Sequence, residues 1–96
     1  MEYSYPFSTD WSTEEIVDII AFFQIIEKAY ETGVKREAVL KAYRRFNEIV
    51  PGKAQEKTYF KEFFEVSGYE SFPVVRDAKK GQDGTTIKGV ISKYKK

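Results

Sequence analysis

The chain has 96 residues, 42% of them apolar and 17% aromatic, a length and composition that predict one small folded domain rather than a disordered chain or two cores. Sixteen Lys and Arg stand against fifteen Asp and Glu, a formal charge of +1, so no bulk charge draws the chain to nucleic acid or to an anionic membrane. Histidine and cysteine are both absent, which excludes Ser-His-Asp and Cys-His nucleophiles, His- or Cys-ligated zinc, disulfides and thiol redox chemistry.

The opening residues Met1-Glu2-Tyr3-Ser4-Tyr5-Pro6 carry an early acid and no apolar run, unlike a secretory signal. The longest apolar stretch, Ile19 to Ile26, is broken by Gln24 and falls far short of the roughly 18 residues that span a bilayer. Glu at position 2 and the lack of Cys leave no myristoyl or prenyl site. The expected compartment is the cytoplasm, with no membrane partner. Tyr3, Tyr5 and Phe7 alternate with polar or Pro residues, and Pro6 biases Tyr5 to an extended backbone. This predicts an extended N-terminal arm laying aromatic rings over a helical body.

Helix one has the clearest start. Ser12 followed three residues later by Glu15 is a capping box, and Trp11 with Ile16 occupies the positions of a hydrophobic staple. Ile16, Ile19, Ile20, Phe22, Phe23, Ile26 and Tyr30 fall on one broad stripe, the expected core face. Val17, Ala21 and Ile25 lie outside it, spaced by four, as a candidate interaction ridge covered by the arm, by a neighbouring helix or by a second copy in a homodimer. Gly33 ends the helix in a left-handed C′ conformation with Val34 folding back.

Helix two is predicted from about Lys35 to Ile49, with Val39, Ala42, Tyr43, Phe46 and Ile49 on one face, and Val50-Pro51-Gly52 stops it. Helix three runs from about Lys53 to Ser67 with Ala54, Tyr59, Phe60, Phe63, Phe64 and Val66 as its apolar set, Gly68 as its C-cap and Tyr69 beyond. Ser71 is placed to cap a shorter helix four, Phe72 to about Lys80, closed by Gly81. The expected core is Ile16, Ile19, Ile20, Phe23, Ile26, Phe46, Phe60 and Phe63. The fold class is all-α: a bundle of three longer helices and one short C-terminal helix, residues 1–81, followed by a lysine-rich mobile tail, residues 82–96, with few apolar anchors.

Charge is polarised along the chain. Residues 1–33 carry a balance of −6, residues 34–66 of +3 and residues 67–96 of +4. The plain expectation is an acidic helix one beside basic neighbours, with Glu37–Lys41, Arg44–Glu48 and Lys61–Glu65 as local i,i+4 pairs. Lys35, Arg36, Lys41, Arg44 and Arg45 are the candidate basic binding face for nucleic acid, although such binders usually show a domain-wide basic excess that is missing here. Glu14, Glu15 and Asp18, with Glu62 and Glu65 as a second pair, are the best carboxylates for Mg2+ in the manner of all-α pyrophosphatases. Acids in a first helical turn are equally favoured by the macrodipole without any metal, so no metal site, cofactor or catalytic residue is assigned. The glycines at 81, 84 and 89 match no phosphate-loop spacing.

The words Met1-Glu2-Tyr3-Ser4-Tyr5-Pro6, Asp10-Trp11-Ser12-Thr13-Glu14-Glu15-Ile16, Ala29-Tyr30-Glu31, Tyr43-Arg44-Arg45-Phe46, Ile49-Val50-Pro51 and Val66-Ser67-Gly68-Tyr69 resemble the uncharacterised small-protein family typified by YktA of low-GC Gram-positive bacteria. The resemblance spans residues 1 to about 80 and implies an all-helical cytoplasmic protein. It implies no activity, cofactor or catalytic residue. The sequence therefore reads as a non-enzymatic cytoplasmic helical domain that binds another macromolecule, a protein partner or a second copy. The alternatives are a nucleic-acid-associated protein using helix two and the tail, and a Mg-dependent hydrolase of the all-α pyrophosphatase type. Because capping box and staple converge on Ser12, replacing Ser12 by Ala is expected to cost about 1 kcal/mol, read as a shift of the midpoint in denaturant titration.

Overall fold

The structure is a computed structural model that describes residues 4–89. Four helices follow one another: α1, Thr13–Glu31; α2, Arg36–Ile49; α3, Lys53–Ser67; and α4, Ser71–Lys80. Two short strands complete it: β1, Val34–Lys35, between α1 and α2, and β2, Thr86–Ile87, after α4. The all-α bundle stands, with a two-stranded clasp added to it.

The expected cap of α1 is formed. Glu15 N–H donates to Ser12 Oγ at 3.1 Å, and Ser12 N–H donates back to the Glu15 carboxylate at 2.9 Å. Trp11 turns onto Tyr59 of α3, ring centroids 5.2 Å apart. At the other end Gly33 has φ +95°, and its N–H joins that of Thr32 in donating to the Lys28 carbonyl. Gly68, at φ +82°, closes α3 in the same left-handed conformation. Tyr69 follows it and stacks on Tyr30 of α1 at 4.9 Å.

The core is built on phenylalanine. Phe22, Phe23, Phe46 and Phe63 are fully buried together with Ile19 and Ile26. Ile16, Ile20 and Phe60 of the expected core are only half-buried. Their place is taken by Ala29, Val50, Val74, Val75 and Ala78, because α4 lies across α2 and supplies a complete apolar face. Phe23 meets Phe63 at 4.5 Å and Phe22 meets Phe46 at 4.8 Å. Phe60 reaches Phe46 at 5.4 Å and Phe22 at 5.8 Å. Tyr5 of the arm stacks on Phe63 at 6.0 Å, its hydroxyl donating to the Glu27 carboxylate at 2.9 Å, whereas Phe7 is exposed. Tyr3 lies outside the described residues.

Three expectations are corrected. First, the chain does not leave the body at Gly81. β2 pairs antiparallel with β1, Val34 opposite Ile87 and Lys35 opposite Thr86, and Ile87 is 4% exposed. Arg36 N–H donates to the Thr85 carbonyl at 2.8 Å, and Gly84 N–H to the Glu37 carboxylate at 2.7 Å. Gly89 N–H donates to the Ala29 carbonyl at 3.0 Å. One apolar side chain, backbone pairing and side-chain bonds from Lys35, Arg36 and Glu37 hold residues 82–89, and none of these leaves a periodic signal. The rest of the expected tail, residues 90–96, lies outside the described residues. Second, Lys35 belongs to β1, so helix two starts a residue later. Third, Ser71 does not cap α4 but is its first helical residue. Glu70 occupies the cap position without a side-chain bond.

Truncating Ile87 to Ala is expected to cost about 2 kcal/mol or more, since a fully buried aliphatic side chain is removed. Thermal melting checks this, and a midpoint equal to that of the parent would show that the clasp is not part of the cooperative fold.

Candidate functional site

Of the apolar ridge expected on helix one, Val17 is exposed, Ala21 is half-buried and Ile25 packs against the core. The three do not form one open seam, because Ile25 leans into the bundle. The expected basic face is similarly divided. Arg36 Nε donates to the Ala78 carbonyl at 2.6 Å and its Nη1 to Asp83 at 2.7 Å. Arg45 is spent on Asp18 at 2.8 Å and Glu48 at 3.1 Å, so Glu48 pairs with Arg45 where the spacing had suggested Arg44. Lys35 Nζ reaches the Gly84 carbonyl at 3.4 Å. Lys41 and Arg44 remain exposed on α2. Asp18, the central member of the candidate Mg2+ set, is held by Arg45. Among the described residues no helix is long and apolar enough to cross a membrane.

The most distinctive surface lies instead between α3 and α4. Phe64 and Phe72 are 43% and 59% exposed, large apolar rings left in water on a small domain whose core is well supplied with phenylalanine. Both line a surface cleft together with the half-buried Phe60. One half of this cleft, about 480 Å³, is walled by Phe60, Phe64, Phe72 and Pro73, with Lys61 and Arg76 at its margin and Glu70 and Ser71 at its end. The other half, about 460 Å³, shares Phe60 and Phe72 and runs to Tyr43 and Glu56 between Lys53, Lys57 and Lys79. Lys53, Lys57 and Lys61 recur every four residues, so they form a single row along α3. Arg76 and Lys79 stand on the α4 side. An apolar floor therefore lies between two rows of cations.

Each end of the cleft is fixed by tyrosine. Glu56 is 6% exposed, and a buried carboxylate is tolerated only when it is bonded. Tyr43 Oη donates to its two oxygens at 3.1 and 3.2 Å, and Lys53 Nζ lies 3.7 Å from it. The Tyr43 hydroxyl, and after it the Glu56 carboxylate, hold the Lys53 ammonium above its ordinary pKa. Lys79 Nζ sits 5.0 Å from the centre of the Tyr43 ring, a cation–π contact. At the far end Tyr30 Oη donates to the Glu70 carbonyl at 2.7 Å, and Tyr69 Oη to Glu31 at 3.2 Å. These bonds tie the α3–α4 turn to α1.

The sequence reading placed Phe60, Phe63 and Phe64 on one buried set and missed the cleft. A usable signal was present: the i,i+4,i+8 lysine row at 53, 57 and 61 next to an apolar arc too wide for one buried stripe. Ala54 and Val66 of that set are exposed as well.

A small helical bundle with an apolar, cation-rimmed surface cleft is thus the class of protein the geometry defines. The chain belongs to the uncharacterised protein family UPF0223, whose profile matches residues 2–87. That match runs to Ile87, the last residue of the clasp. The chain is 63% identical over 93 residues to a UPF0223 protein of Lysinibacillus sphaericus (strain C3-41), covering 97% of this chain and 98% of the relative. It is 60% identical over 79 residues to the UPF0223 protein YktA of Bacillus subtilis (strain 168), covering 82% and 90% of the two chains. A UPF0223 protein of Staphylococcus haemolyticus (strain JCSC1435) is 51% identical over 87 residues, 91% and 97% of the two chains.

Burial raises the phenolic pKa of both Tyr30 and Tyr69, and the Glu31 carboxylate adds to the effect at Tyr69. A folded pKa above the unfolded one contributes stability that is complete below the unfolded value and lost as pH rises through the folded one. Stability is therefore expected to fall as pH climbs above about 10, and Tyr30→Phe should flatten that fall. Denaturant midpoints measured across the alkaline range check it; equal slopes for variant and parent would remove Tyr30 from the account.

Proposed function

We propose that this chain is a non-enzymatic, cytoplasmic helical domain that binds another protein, and that the α3–α4 cleft receives an acidic amphipathic segment of that partner. The carrying observation is the exposure of Phe64 and Phe72 between the Lys53-Lys57-Lys61 row and Arg76 with Lys79. An apolar floor takes the partner's aliphatic or aromatic anchors, and the two cationic margins favour carboxylates on either side of them, the arrangement used when an amphipathic helix lies in a groove. Burying one phenylalanine ring is worth roughly 1.5–3 kcal/mol, so Phe64 and Phe72 together supply the apolar part of a specific contact. The margins supply orientation and encounter rate more than affinity.

A nucleic-acid reading is less well supported. Arg36 and Arg45 are engaged within the fold, which interrupts the basic track that a phosphate backbone needs.

The test is a photo-crosslinking amino acid placed at Lys57 in the native host, with and without Phe72→Glu. Phe72 is exposed, so the variant should melt with the parent. A crosslinked protein carrying an acidic amphipathic segment, lost in Phe72→Glu and kept in Val17→Glu, is the expected result. A crosslinked product that is nuclease-sensitive, or a protein adduct indifferent to Phe72→Glu, would overturn the proposal.

A further inference from the structure

The Ser71 hydroxyl is buried, the residue being 1% exposed, and among the described residues it makes no hydrogen bond. A buried hydroxyl without a partner costs free energy that a folded protein normally avoids. Ser71 stands on the wall of the cleft at the start of α4. That start is otherwise uncapped. Glu70 in the cap position gives no side-chain bond, and its carbonyl accepts from Tyr30. By their place in the helix, the N–H groups of Ser71 and Phe72 have no intrahelical acceptor, and Pro73 next to them has no N–H at all. Ser71 and Phe72, whose N–H groups lack an intrahelical acceptor, thus line the cleft together with Lys61, Glu70 and Arg76, the last with its Nε 3.5 Å from the Asp77 carboxylate.

We infer that the start of α4 is a carboxylate-binding subsite, and that it takes an Asp or Glu side chain of the partner segment whose apolar neighbour lies on Phe64 and Phe72. This rests on the cleft being the partner-binding surface and names the group recognised at its end. The helix N-terminus carries partial positive charge and points N–H donors outward, Ser71 adds a third donor once its hydroxyl turns out of its buried position to the ligand, and the Arg76 guanidinium, whose Nε lies 3.5 Å from the Asp77 carboxylate, keeps its two terminal nitrogens as donors for a second carboxylate. Glu70 brings one negative charge to the same wall. That charge is tolerable for a monoanion and disfavours a dianionic phosphate, so the subsite is assigned to carboxylate.

The experiment uses the full chain labelled with 15N and two blocked peptides, N-acetyl-Glu-Leu-Phe amide and N-acetyl-Gln-Leu-Phe amide, titrated into the millimolar range. The acidic peptide is expected to shift the backbone amide resonances of Ser71 and Phe72, while both peptides shift those of Phe60 and Phe64. Arg76→Ala should weaken the acidic peptide by about tenfold, the loss expected for one charge-assisted hydrogen bond. Ser71→Ala should weaken it too while raising the melting temperature, because an unsatisfied buried hydroxyl is removed. A serine with only a structural role would lower the melting temperature or leave binding untouched, and either result overturns the inference. Equal shifts at Ser71 and Phe72 with both peptides would also overturn it and leave the cleft standing. Absence of shifts anywhere along the cleft would remove the cleft reading with it. Inorganic phosphate saturating the Ser71 and Phe72 amides as readily as the acidic peptide would overturn the assignment to carboxylate.

Discussion

Contact between phenylalanine rings of α1 and those of α2 and α3 is what the remainder of the structure depends on. Phe22 and Phe23 are adjacent in sequence, and both are fully buried, so α1 presents rings in two directions at once. Phe22 turns to Phe46 of α2 at 4.8 Å and Phe23 to Phe63 of α3 at 4.5 Å, with Phe60 edge-on to Phe23 at 6.4 Å. Aromatic pairs of this geometry add about 0.5–1.5 kcal/mol each beyond the area they bury. They also set distance. A helix held through ring-to-ring contact stands farther from its neighbour than one packed on Ala or Val, as α4 is packed on α2 through Val74, Val75 and Ala78. The cleft bearing the exposed Phe64 and Phe72 lies between α3, placed by these rings, and α4, placed by its Val and Ala contacts.

Charge is distributed to match. The acids of the N-terminal third are used in holding the fold: Glu27 by Tyr5, Glu31 by Tyr69 and Asp18 by Arg45. On α2 the internal bonds of Arg36 and Arg45 do the same for the bases. Lys57 and Lys61 of the α3 row, with Lys53 beside Glu56, Arg76 beside Asp77 and Lys79 over the Tyr43 ring, border the apolar cleft between α3 and α4. Glu56 is the exception inside it, and the Tyr43 hydroxyl, its one proton shared between the two carboxylate oxygens, keeps that end polar. The cleft thus has a polar, closed end at Tyr43 and Glu56 and an end at Ser71 whose donors are unmatched.

The clasp formed by β1 and β2 has a related role. Its pairing joins the α1–α2 link to the segment after α4, and with Gly89 bonded to the Ala29 carbonyl it holds α4 against α2. Gly89 also lies so close to the Tyr30 ring that a methyl group there would collide with it. Tyr30 is the residue that ties the Glu70 carbonyl, so the C-terminal segment and the end of the cleft meet on one side chain.

Much of the helical fold is local, and local signals are written in the chain. The capping box at Ser12 and Glu15, the glycines at 33 and 68 whose positive φ only a residue without a Cβ adopts freely, and the Val50-Pro51-Gly52 break each act within a few residues. The sequence alone accordingly determined four helices, most of their ends, and Phe23, Phe46 and Phe63 as core. The tertiary structure decided what depends on neighbours distant in sequence. Ile87 is a lone apolar residue in a polar segment, and only its pairing with Val34 buries it. Ile25 leaves the candidate ridge because the bundle covers it, and Arg36 and Arg45 leave the basic face because Asp83 and Asp18 are folded against them. Phe64 and Phe72 are as apolar as the buried rings, and only the packing of α3 and α4 in the bundle leaves them 43% and 59% exposed.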